Sequence, residues 1–204
     1  MRNEKFFWDY VSSIYDVFVY VINFKTHNNL KKQISSLFKP NDFVLECACG
    51  TGMFTKMIAS QGSKLIATDF SEKMVQKAEI NCKAYKNVHF KIADISKLEF
   101  EDNSFDKVVA GNVIHLLEEP KKALEELIRV CKPRCKIIVT TYINEKENVF
   151  TKILGKFGAD SNFKRKFTFS SYEQFFTDLG CRNVRYIKVD GFIPCSIAII
   201  EKPE

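Results

Sequence analysis

Apolar side chains recur along this chain with two spacings that trade places many times. In residues 6–24, Phe7, Tyr10, Val11, Ile14, Phe18, Val21 and Ile22 fall near a helical period, which predicts an amphipathic helix. A second helix is expected over about 28–38, stopping before Pro40. Short apolar, β-branched runs then alternate with helical patterns. Phe43–Leu45, Lys64–Thr68, Val88–Ala93, Phe105–Ala110 and Lys136–Tyr142 read as strands. Residues 52–60, 71–84 and 119–131 read as helices, the second with Ser71 as its N-cap. Alternation of this kind predicts βαβ units and a parallel sheet covered by helices on both faces. Residues 143–169 show no clean period. A helix over Ser170–Leu179 then ends at Gly180, and strands over Val184–Val189 and Ser196–Ile200 follow. The short link Asp190-Gly191-Phe192-Ile193-Pro194 between them suits a hairpin, so the last strand should run antiparallel to its neighbour.

The 204 residues, 46% apolar and 27% charged, are ample for one full hydrophobic core and exclude a disordered or fibrous chain. The net charge of +6 is mild, and residues 41–143 carry fifteen basic against fourteen acidic groups, so most of the excess lies in the flanks. Without a concentrated basic stripe the chain does not read as a nucleic-acid binder. The basic flanks leave room for anionic substrates or a weak association with an anionic membrane surface. Seven cysteines, at 47, 49, 82, 131, 135, 181 and 195, form an odd set with no CxxC. They fit neither a zinc site nor a disulfide framework and suit the reducing cytoplasm; no metal is expected. The apolar N-terminal stretch is broken by Asp9, Ser12, Ser13, Asp16 and Asn23, which argues against a membrane span or a signal peptide.

Only eight glycines occur, and two of them sit together in Val44-Leu45-Glu46-Cys47-Ala48-Cys49-Gly50-Thr51-Gly52. A strand ends there, a turn of small residues follows and a helix begins. Ligands of doubly wound sheets bind at such carboxyl ends, and glycine lets backbone N–H groups approach them. A dinucleotide site of GxGxxG type would need glycine at 53 or 55, where Met53 and Thr55 stand. An acidic residue before small-x-Gly-x-Gly fits instead a nucleoside ligand with a cationic amino-acid tail. The next strand ends in Asp69, a carboxylate able to accept from two ribose hydroxyls, and Lys91-Ile92-Ala93-Asp94-Ile95 ends in another that can accept from an adenine amino group.

Glu46-x-Ala48-x-Gly50-Thr51-Gly52, Thr68-Asp69-Phe70-Ser71-x-x-Met74, Ala93-Asp94-Ile95 and Ser104-Phe105-Asp106 stand in the order of a known motif series. With them the chain resembles the class I S-adenosylmethionine (SAM) dependent methyltransferases, nearest the small quinone-biosynthesis-like branch, over about residues 8–142. The resemblance implies a doubly wound, mostly parallel α/β sheet of seven strands, order 3-2-1-4-5-7-6, with strand 7 antiparallel. It implies that Glu46, Ala48 and the Gly50–Gly52 backbone hold the methionine part of SAM. Asp69 would hold the ribose, with Phe70 and Met74 beside the ribose or adenine edge. Asp94 and the Ile95 N–H would read the adenine. Gly111 and Asn112 would meet the methionine amino group through their backbone, and Tyr15 would lie over the pocket.

The organisation expected is one methyltransferase domain over 1–204: an N-terminal helical lid (1–40), a SAM-binding core (41–142), a lid or linker (143–169) and a closing helix and hairpin (170–204). The activity expected is methyl transfer to a small-molecule acceptor, apolar because Phe6, Phe7, Phe18, Phe157, Phe163, Phe167 and Phe169 lie in the covering segments. His115, just past the fourth core strand, is the candidate general base. Three positions depart from the family pattern. Ala48 replaces a glycine, which alanine can do if φ stays negative there, and Lys132-Pro133-Arg134-Cys135 replaces a Lys-Pro-Gly-Gly turn. The Lys164-Arg165-Lys166 run reads as a solvated face. A SAM-binding protein without catalysis, an enzyme using SAM for other chemistry and a dinucleotide oxidoreductase are the alternatives.

Overall fold

The computed structural model of the chain describes residues 23–144 and 164–204. The helix expected over 6–24 lies outside them, apart from its last two residues. The elements are α1 (Phe24–Ser35), β1 (Phe43–Cys47), α2 (Met53–Ala59), β2 (Lys64–Asp69), α3 (Glu72–Asn81), β3 (Val88–Ile92), β4 (Phe105–Gly111), α4 (Pro120–Val130), β5 (Cys131–Tyr142), α5 (Phe169–Asp178), β6 (Val184–Val189) and β7 (Cys195–Glu201). Seven strands form one sheet in the order β3-β2-β1-β4-β5-β7-β6. β1 to β5 pair in parallel, and β7 runs antiparallel to both β5 and β6. This is the Rossmann-like order the resemblance implies. It reverses between β1 and β4, the place where such sheets bind ligands.

Alternate residues of each strand supply two cores. Leu45, Val108, Ala110, Ile137, Val139, Ala198 and Ile200 face α4 and α5, where Leu124, Leu127, Tyr172 and Phe176 receive them. Val44, Val109, Ile138, Ile197 and Ile199 face the other way, toward Leu30 and Ile34 of α1, Phe54 and Ile58 of α2, and Ala78 of α3. Burial on both faces explains why the strands read as near-continuous apolar runs. Tyr172 is wholly buried, its ring 5.1 Å from Phe176, and its hydroxyl donates to the Val139 carbonyl at 3.1 Å. Phe167 packs 5.2 Å from the Tyr172 ring, so this aromatic fills the core.

The ends of the elements depart from expectation where tertiary contacts decide them. α1 begins at Phe24 and stops at Ser35, because Asn23, Thr26, His27, Leu30 and Ile34 make its buried stripe. α3 starts as expected, with Ser71 accepting from the Met74 N–H. α5 starts at Phe169 under a capping box in which Thr168 and Ser171 each accept from the other's backbone. β5 begins five residues early. Phe105 pairs with Cys131 and Lys107 with Lys136, so residues 132–135 bulge from the ladder. Arg134 takes φ +58° in that bulge, where the resembling family has glycine. Its N–H donates to the Lys202 carbonyl, and the Lys202 N–H donates to the Cys135 carbonyl.

Ala48 also stands in left-handed backbone, at φ +56°, so the condition of a negative φ, under which alanine replaces glycine freely, is not met. Its place after β1 is set by the chain reversal, and a Cβ there is strained. Ala48→Gly and Arg134→Gly should therefore each raise unfolding stability by about 0.5–1 kcal/mol, strain relief outweighing the added freedom of the unfolded chain. Urea unfolding measures this, and a loss of stability in both variants would contradict the left-handed backbone.

Candidate functional site

The parallel strands β1, β2, β3 and β4 end on one edge of the sheet, and that edge gathers most of the expected site residues. After β1 the chain turns through three left-handed residues, Ala48, Gly50 (φ +54°) and Gly52 (φ +92°). The Cys49 N–H donates to the Thr68 carbonyl at 2.9 Å and the Gly52 N–H to the Cys49 carbonyl at 3.0 Å, which closes the turn. A Cβ on Gly52 would come within 2.7 Å of the Cys82 sulfur, so this glycine lets α3 pack against the loop. A Cβ on Gly50 would meet nothing within 4 Å; its backbone faces open space.

Three acidic side chains stand on successive strand ends. Glu46 is 1% exposed and accepts from the Thr55 hydroxyl at 2.7 Å. Burial pushes its pKa up to about 8, and the nearby Asp69 charge adds to that, while the Thr55 bond opposes it. Asp69, 5% exposed, bridges two loops: one carboxylate oxygen accepts from the Gly50 N–H at 2.8 Å, the other from the Ser71 N–H at 3.0 Å. Asp94, beyond β3, accepts from the Ser96 N–H at 2.8 Å. A cavity of about 380 Å³ opens beside it, lined by Phe70, Lys91, Ala93, Asp94, Lys97 and Phe100 among others. Met74 is 2% exposed under the Ser71 cap, and the Ile95 side chain is buried in the core.

One strand over, Gly111 ends β4 with the Phe54 ring against it, where a Cβ would stand 2.7 Å from the ring. Asn112 follows in left-handed backbone (φ +54°), a conformation that asparagine tolerates. Its N–H donates to the Thr140 carbonyl at 3.0 Å. His115 lies in the next turn, 4% exposed, with Nδ1 2.9 Å from the Thr141 hydroxyl. Burial lowers its pKa to about 4, so the imidazole is neutral at physiological pH. Tyr15 lies outside the described residues. Arg165, read as part of a solvated run, docks here instead: its N–H donates to the His115 carbonyl and its guanidinium to the Leu117 and Glu118 carbonyls, while Lys164 pairs with Glu118 at 3.0 Å.

The sequence pattern did not single out Thr55, the partner of Glu46, although a hydroxyl in the first turn of the glycine-loop helix was a usable signal. It also missed His27, whose Nε2 lies 3.1 Å from the Tyr142 hydroxyl. No local pattern links positions so far apart. Among the described residues, no group of three or more His, Cys, Asp or Glu side chains is arranged to hold a metal ion. The donors present suit an adenosyl ligand with a charged tail. A buried carboxyl offers a partner for a cation, left-handed backbone exposes the loop, and Asp69 at the loop and Asp94 beside the cavity are carboxylates that can accept from hydroxyl and amino hydrogens.

Comparison with known proteins agrees. A family model described as a methyltransferase domain matches residues 38–181. Over 99 residues the chain is 35% identical to a demethylmenaquinone methyltransferase of Clavibacter sepedonicus, covering 48% of this chain and 40% of that protein. Over 135 residues it is 33% identical to a demethylmenaquinone methyltransferase of Bacillus cereus strain AH187, covering 63% of this chain and 57% of that protein. The chain thus matches about half the length of these curated relatives. A crystal structure of a SAM dependent methyltransferase from Aquifex aeolicus shares the fold, with a TM-score of 0.64 at 22% identity over 86% of this chain and 89% of that one. On the match across residues 38–181, together with the seven-stranded order of its sheet, the chain belongs to the methyltransferase domain family.

Proposed function

We propose that this chain transfers a methyl group from SAM to a small, apolar acceptor. The observation that carries the reading is the succession of Glu46, Asp69 and Asp94 on neighbouring strand ends around a loop of left-handed residues. In this reading Glu46 and the backbone from Ala48 to Gly52 hold the methionine end, with Gly111 and Asn112 contributing backbone groups. Asp69 accepts from the ribose hydroxyls. Phe70 and Met74 border the nucleoside, and Asp94 with the Ile95 N–H reads the adenine. Tyr15 covers the pocket. The names of the two relatives favour a quinone-like acceptor, and an apolar one also suits the aromatic flanks.

When bound, SAM supplies a methyl group on an already activated sulfonium. The chain's own task is then to bind, orient and exclude water, and positioning provides much of the acceleration. His115 is placed by Thr141 and Arg165 beside the end of β4, where its neutral imidazole would take up the acceptor's proton. With a pKa near 4 it remains a competent, if weak, acceptor across the neutral range.

Calorimetry with SAM and its demethylated product tests the reading, and absence of binding at millimolar ligand would overturn it. Asp69→Ala should weaken SAM binding by about 1–3 kcal/mol through the lost charged acceptor. Full turnover in His115→Ala would remove that residue as a base.

Glu46 yields a pH signature. A cation bound beside it favours the ionised form, so SAM affinity should climb as the pH rises toward 8, by up to about tenfold per unit, with proton release. In the free protein the sign is opposite. The raised pKa means this stabilisation is full below about 4.5 and fades as the pH rises through about 8. Glu46→Gln should flatten both trends, in binding heats measured in two buffers and in Tm against pH; slopes that persist in the variant would assign them elsewhere.

A further inference from the structure

The described surface carries one strongly one-sided feature outside the candidate site. From Asn23 to Asn41 the chain has four lysines, at 25, 31, 32 and 39, and no acidic residue. All four lysines are exposed. α1 lies along β6, the edge strand of the sheet, which adds the exposed Lys188. A groove of about 180 Å³ runs between the two elements, lined by Asn29, Lys32, Gln33, Lys188, Val189 and the single acid Asp190.

The apolar part of this face stands where the strands end. The link between β6 and β7 is pinned to the start of α1. The Ile193 N–H donates to the Asn23 side chain at 3.0 Å, Thr26 donates to the Ile193 carbonyl at 3.1 Å, and any side chain at Gly191 would collide with Thr26. Two large apolar side chains are held outward beside these contacts, Phe24 at 62% and Phe192 at 55% exposure. They are two of only four large hydrophobic residues so exposed among the described residues. β6 runs parallel to β5, so this rim is at the same edge of the sheet as Tyr142, Asn112 and the glycine loop.

We propose that this face docks on an anionic lipid surface. Lys25, Lys32 and Lys188 meet headgroup phosphates, and Phe24 and Phe192 enter the interface beside the cleft. Lysine attracts the negative surface while an aromatic ring sits well at the headgroup boundary. The arrangement deepens the apolar-acceptor reading, on which it rests, because an acceptor dissolved in a bilayer would be met at the mouth of the site. Among the described residues, no helix is long and apolar enough to cross a membrane, so the contact proposed is peripheral.

Vesicle sedimentation of the full chain tests it, comparing phosphatidylcholine alone with a phosphatidylcholine–phosphatidylglycerol mixture. Binding should require the anionic lipid and weaken as salt is raised. The double variant Lys25→Glu/Lys32→Glu should bind at least tenfold more weakly, given about fivefold per lysine near such a surface. Phe24→Ser/Phe192→Ser should lose binding several-fold and keep the salt dependence. Equal binding to neutral vesicles, unchanged binding by the charge-reversed variant, or capture of RNA in place of vesicles would each overturn the proposal. SAM calorimetry on the same proteins separates the two readings. Intact SAM binding without vesicle binding sinks the lipid contact alone, whereas a wild-type chain that binds vesicles and not SAM sinks the methyl-transfer reading.

Discussion

The structure depends on β1 being hydrogen-bonded in parallel on both sides, to β2 and to β4. A strand flanked this way has no free edge, and its faces lie under helices, so it is five residues of almost complete burial. Its carboxyl end must therefore release the chain into a crowded space through a tight turn. Glu46 is buried because β1 is central. Its raised pKa, its bond to Thr55 and its position between Asp69 and the glycine loop all follow from that one placement.

The parallel core was legible in the sequence for the same reason. Strands buried on both faces leave continuous apolar runs, and Ser71 or Gly180 mark helix ends by local chemistry that survives in one dimension. The candidate loop was legible because left-handed backbone selects glycine, and glycine is scarce here. What escaped is tertiary. α1 starts at Phe24 because Asn23 and Thr26 bond to Ile193, 170 and 167 positions away. The early start of β5 depends on Lys202 reaching back to the bulge. Arg165 was read as solvated since a basic triplet usually is, yet the carbonyls of His115, Leu117 and Glu118 are turned toward it. Tyr15 and the expected covering residues Phe6, Phe7, Phe18, Phe157 and Phe163 lie outside the described residues.

Electrostatics separates the three strand-end carboxyls into different kinds of group. Asp69 accepts from two backbone N–H groups, which makes it a clasp between the two loops. Glu46 has the neutral hydroxyl and backbone N–H of Thr55 beside it and full burial, so water cannot support its charge. Asp94 faces a cavity and bonds only within its own turn. A cationic group is therefore most favoured near Glu46, where it would relieve a desolvated carboxyl, and neutral donors are favoured near the other two. The polarity of the edge runs in one direction along the sheet, from β1 outward to β3.

Ala48 shows how firmly that edge is held. A Cβ in left-handed backbone is costly, and the chain has tolerated it one residue from the loop glycines. The backbone has little freedom to relax, because the next residue is tied to Thr68 and the one after it to Asp69. Both ties come from β2, whose register against β1 is fixed by five consecutive pairs. Strain at Ala48 is thus sustained by the sheet rather than by the loop. A substitution that loosened β2 would disturb the candidate site more than one at Ala48 itself, since it would release the two N–H groups that aim the loop.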